Sequence, residues 1–73
     1  MVLIENFIEL NSEKRFGRPI LKNTRITVYE VLNWLANGMT RKDILQDFPE
    51  LSADHIQACL QYAADKENKI RVA

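Results

Sequence analysis

Basic side chains are the residues here whose spacing could do chemistry. Lys14, Arg15, Arg18, Lys22 and Arg25 fall within twelve residues, in a 73-residue chain whose ten basic and ten acidic residues leave a net charge of zero. Such segregation suits contact with phosphates, contact with an acidic protein surface, or a solvated turn with incidental charge. Arg41 and Lys42 follow Thr40 at the start of a helical pattern. Cations there oppose the helix dipole, yet the unbonded N–H groups of a helix start also suit a backbone phosphate. The pair therefore stands equally as a phosphate grip and as solvated surface charge. Gln57 and Gln61 are four residues apart in a later helical pattern, and a glutamine amide can pair with an adenine edge.

Other chemistries find little support. Cys59 and His55 are the single cysteine and the single histidine, too few for a structural zinc site. No nucleophile, base and orienting group form a legible set. The ten carboxylates are scattered, and the two glycines stand 21 positions apart, which excludes a glycine-rich phosphate loop. A non-enzyme with no cofactor and no metal is expected. His55 reads as a half-exposed surface residue and Cys59 as core.

These side chains must be placed by a small set of elements. Thr27 with Glu30 three residues on is a capping box ahead of Val28, Val31, Leu32 and Leu35, and Gly38 ends that run. Thr40 with Asp43 opens a second helix carrying Ile44, Leu45 and Phe48, stopped by Pro49. Ser52 opens a third, with Ile56, Cys59, Leu60 and Ala63 inward and Asp54, Gln57, Ala58, Gln61 and Asp65 outward. Helices of roughly ten, seven and sixteen residues are expected. A short helix, a tight turn and a longer helix form the helix-turn-helix pattern, although three helices also bury a small core without any DNA.

Residues 1–26 read differently. "NFIEL" suits a short strand. "PILKNTRI" suits a tight hairpin with Lys22-Asn23 at its tip, since asparagine tolerates positive φ. The expected fold is thus mainly α: a three-helix, homeodomain-like helix-turn-helix domain over 27–69, a short N-terminal β element over 1–26 and a tail over 70–73. The chain is read as one domain. No run approaches the roughly 20 apolar residues of a membrane span. "MVLIENFIEL" carries Glu5 and Glu9 and lacks the basic start of a signal peptide. A cytoplasmic protein is expected. With no disulfide to staple so small a core, self-association is expected as well, and a homodimer built through Phe7 and Ile8 is the simplest form.

The stretch "GRPILKNTRITVYEVLNWLANGMTRKDILQDFPELSADHIQACLQYAAD" resembles the family called domain of unknown function 433. The matching residues are Gly17, Pro19, Thr24, Arg25, Ile26, Val28, Gly38, Ile44, Leu45, Phe48, Pro49, Leu51 and Ser52. Phe16 and Asn23 stand where the family pattern has glycine. The resemblance implies a homeodomain-like or winged-helix-like fold. It also implies the role of an antitoxin in a type II toxin–antitoxin module, paired with a PIN-like ribonuclease toxin.

Two functions follow as expectations. The first is a DNA-binding antitoxin and autoregulator, with Arg15, Arg18, Arg41 and Lys42 on the backbone and Gln57 and Gln61 on bases. The second is a protein-interaction module that never meets DNA. Asp54, Asp65 and the zero net charge favour the second. Three residues are candidates for partner contact: Arg25, which also suits a structural bridge to an acid such as Glu30; Trp34, either a core lid or an interface anchor; and Arg71, which could bridge carboxylates of a toxin's metal-binding pocket or belong to a tail without a role.

Overall fold

The computed structural model describes residues 3–10, 13 and 17–70, and the backbone alone of 68–70. A single 3-10 turn at Ile4–Asn6 leads into strand β1 (Ile8–Glu9), which pairs antiparallel with β2 (Ile20–Leu21). Three helices follow: α1 (Val28–Ala36), α2 (Arg41–Asp47) and α3 (Ala53–Ile70). The fold is mainly α with a short N-terminal β element, as the sequence patterns predict.

Each helix starts where local chemistry dictates. Thr27 has extended backbone, its Oγ1 accepts from the Glu30 N–H, and the Glu30 carboxylate accepts from the Thr27 N–H. Thr40 and Asp43 repeat that exchange ahead of α2. These reciprocal bonds satisfy N–H groups that the helix itself cannot pair. At the far end of α1, Gly38 adopts φ +97°. Its N–H reaches the Leu35 carbonyl while the Met39 N–H reaches that of Trp34. This is a Schellman ending, and it needs the left-handed backbone that glycine adopts without penalty.

The β element is tied to the helices through one tight turn. Asn23 takes φ +65°. The Leu21 N–H donates to the Ile26 carbonyl, and Ile20 bridges to Thr27. Thr24 Oγ1 donates to the Leu21 carbonyl and accepts from the Ile26 N–H, closing the turn from inside. The hairpin at Lys22-Asn23 is therefore present, with asparagine holding the strained position.

Ile20, Leu21, Val31, Ile44, Ile56 and Cys59 form the fully buried centre. They draw on β2 and all three helices, so no element can leave without exposing a neighbour. Complete burial of one such aliphatic side chain contributes about 1.5–3 kcal/mol. Trp34 of α1 stacks flat on Phe48 at the end of α2, with centroids 4.3 Å apart and planes 10° apart. That pair closes the side of the core between α1 and α2.

Three details differ from the sequence reading. Ala58 is fully buried rather than outward, because the 3-10 turn and β1 also pack on α3 and widen its inward face. His55 is half-exposed, as expected, but its side chain is engaged: its Nδ1 accepts from the Ser52 N–H at 3.0 Å, and its ring meets Phe7 edge-on at 5.2 Å. Histidine thereby takes the place that a carboxylate, Glu30 or Asp43, holds in the other two caps. Phe7 and Ile8, expected at a dimer contact, are used inside the fold. Phe7 packs on His55, and Ile8 is a buried core residue.

Candidate nucleic-acid interface

α2, the turn through Pro49 and Leu51, and α3 have the order of a short helix, a tight turn and a longer helix. Thr40 and Asp43 fix the first turn of α2, which leaves Arg41 and Lys42 exposed at its start. The Ser52–His55 exchange fixes the start of α3. Between these two anchored helix ends, Arg41 Nη2 donates to Gln57 Oε1 at 3.2 Å. One exposed contact thus joins two of the candidate residues, a cation and an amide 16 residues apart. The Gln57 carbonyl keeps a second lone pair and its NH2 keeps both donors.

Gln61, one turn further along α3, donates to Asp65 Oδ1 at 3.2 Å. That contact orients its amide and also brings a carboxylate beside it. Asp54 lies exposed in the first turn of the same helix. The surface is therefore mixed: two cations at the rim of α2, two amides in the middle and acids toward both ends.

The other candidate residues are dispersed. Arg18 lies on the far side of α3, with its guanidinium 5.9 Å from the centroid of the Tyr29 ring. It does not join Arg41 and Gln57. Arg25 is exposed in the turn between β2 and α1. Trp34 is half-buried, with one ring face covered by Phe48, so it serves as the lid of the core. Arg15 and Arg71, like Lys14, lie outside the described residues.

Asp43 is held below the usual carboxylate range, first by the Thr40 backbone N–H and then by the Thr40 hydroxyl. It is thus a committed cap. Burial pushes the Cys59 thiol up to about 12, which keeps it protonated and unreactive in neutral solution. Among the described residues no group of three or more His, Cys, Asp or Glu could hold a metal ion. No described helix is long and apolar enough to cross a membrane.

The arrangement defines a small domain of three helices with a short two-stranded antiparallel sheet. By its sequence the chain belongs to the family described as "Protein of unknown function (DUF433)", whose profile matches residues 8–63. It is also similar to the crystal structure of a DUF433 member protein from Anabaena variabilis ATCC 29413. The TM-score is 0.82 at 25% sequence identity, covering 92% of this chain. The chain spans 66% of that neighbour's length. No curated protein matches.

The Arg41–Gln57 contact and the His55 cap escaped sequence reasoning because their partners are brought together only by packing. For His55 a signal existed: Ser-x-x-His opening a helix has the spacing of a capping box.

Proposed function

We propose that this chain is a small helix-turn-helix DNA-binding protein of the antitoxin type. In this reading it represses its own promoter as a homodimer in the cytoplasm and neutralises a PIN-like ribonuclease. The single observation that carries the DNA part is the Arg41–Gln57 hydrogen bond. Helix-turn-helix recognition needs a backbone-gripping group and a base-reading group in fixed register, and this bond supplies such a register. Lys42 beside Arg41 adds a second phosphate contact, and Gln61 a second amide one turn on. Arg18 is not part of this surface. The antitoxin part rests on the family resemblance.

A second reading is favoured by a specific observation. Asp65 bonds Gln61, and Asp54 lies on the same helix. Carboxylates so placed repel phosphates, as a module that meets only protein would tolerate. The two readings separate in a gel-shift assay on the DNA upstream of the chain's own gene, run with and without the neighbouring gene's product. Retarded DNA supports the first reading. Gln57→Ala should then reduce discrimination against a mutated site by about 1–3 kcal/mol. Ribonuclease inhibition without retardation in either arm supports the second.

A further inference from the structure

An open groove of about 370 Å³ runs between the first turn of α1, the C-terminal half of α3 and the residues leading into β2. It lies on the side of α3 away from Gln57 and Gln61, since Tyr62 and Lys66 project on the opposite side of the helix from that amide pair. Val28 and Leu32 form its apolar floor. Both tyrosines of the chain line it, and Tyr29 is 61% exposed. Arg18 lies over the Tyr29 ring and Lys66 over the Tyr62 ring, 5.9 and 5.4 Å from the centroids. No lining residue is acidic. Among the described residues, each of these two cations meets a ring face and no carboxylate.

A chain with ten basic and ten acidic residues thus keeps a purely basic rim around one apolar groove. A cation held over a ring face still has N–H donors to offer an anion. The floor suits an apolar side chain, and the rim suits carboxylates beside it. Tyrosine and arginine are also the side chains that protein interfaces concentrate. A free small molecule is served less well, because such ligands need most of their surface covered and this groove is open along Tyr29. Single-stranded nucleic acid is served less well too. It needs ring faces for its bases and a groove of cations along its backbone, whereas here one face of each tyrosine is taken and the floor is apolar. A second copy brings no surplus of acid in its segment before β2, where Glu5, Glu9 and Glu13 are matched by Lys14, Arg15 and Arg18.

We propose that the groove docks a segment of a different protein that presents an apolar side chain flanked by carboxylates. The apolar side chain enters between Tyr29 and Tyr62 onto Val28 and Leu32, and the carboxylates meet Arg18 and Lys66. This goes beyond the DNA reading and does not depend on it, since the Arg41–Gln57 contact lies on the other side of α3 and stays uncovered.

Selection of a random-peptide phage library on the full chain tests the chemistry of the occupant. The recovered peptides should carry aspartate or glutamate on both sides of a leucine, isoleucine or phenylalanine. The best of them, synthesised and added to the isotope-labelled chain, should shift the NMR signals of Tyr29, Leu32 and Tyr62 and leave those of Gln57 in place. That measurement needs no variant to fold. Arg18→Glu/Lys66→Glu, checked for folding by circular dichroism, should weaken the peptide by about tenfold or more, because like charges then face each other. Arg41→Ala/Lys42→Ala should bind it as wild type does, which keeps this result separate from any loss of DNA binding. An empty selection, peptides without acids, shifts outside the groove, or undiminished binding to Arg18→Glu/Lys66→Glu would each overturn the proposal. So would groove signals that move with oligothymidylate, which would assign the site to nucleic acid, or with the concentration of the chain alone, which would assign it to a second copy.

Discussion

The two capping boxes of this chain have the same chemistry and opposite surroundings. Thr27 is 2% exposed, bridges to Ile20, and donates its hydroxyl to the Glu30 carboxylate as well as accepting from the Glu30 N–H. Thr40 and Asp43 make the equivalent exchange in solvent, between Met39 and the exposed Arg41 and Lys42. The first box is a joint: it anchors the hairpin, starts α1 and holds the core at one point. The second starts a helix and presents its first turn. One local motif thus builds structure where packing covers it and builds a surface where packing leaves it open.

The largest effect should come from the residue that couples the two regions. Trp34→Ala removes the stack on Phe48 and parts α1 from the end of α2. Large aromatic truncations in full cores cost about 3–5 kcal/mol, so this half-buried ring should cost about 2–3 kcal/mol. Urea denaturation measures it. An unchanged midpoint would mean that the stack does not join the regions.

The boxes themselves should separate next. Thr27→Ala should cost about 2 kcal/mol, the upper end for an N-cap, because it also removes the hydroxyl bonded to Glu30 in a buried site. Thr40→Ala should cost about 0.5–1 kcal/mol, the lower end, because water can replace the lost acceptor. Equal losses in the two variants would erase the contrast between joint and surface.

The smallest effect is a dependence on pH. The folded Asp43 carboxyl is held below its ordinary value of 3.8 by the Thr40 N–H and hydroxyl. A depressed folded value means that its contribution is present above about 3.8 and fades as pH falls through the lower folded value. Melting temperatures between about pH 2 and 5 should therefore fall less steeply for Asp43→Asn than for wild type. The carboxylate is fully exposed, so the difference should be small, and a steeper fall in the variant would contradict the assignment.

What the sequence makes legible follows the range of each interaction. Thr27–Glu30 and Thr40–Asp43 are three residues apart, and both boxes can be read directly. Gly38 and Asn23 advertise their positive φ through residue type alone. Longer-range features are silent. Arg41 meets Gln57 across 16 residues, and Phe7 meets His55 across the fold. Ala58 misleads because its outward placement assumes a helix covered by one neighbour, whereas α3 is covered by the 3-10 turn, β1, α1 and α2. The groove is least legible of all, since its walls come from three separated stretches and no one of them has an unusual composition.

We propose that the α2–α3 surface grips DNA. It is tested most directly by the salt dependence of binding to the DNA upstream of the chain's own gene, measured with and without the neighbouring gene's product. If Arg41 and Lys42 each hold a phosphate, the slope of log affinity against log salt should be shallower by about 2 in Arg41→Ala/Lys42→Ala than in wild type. An identical slope in the double variant, or no salt-dependent binding in either arm, would contradict the account.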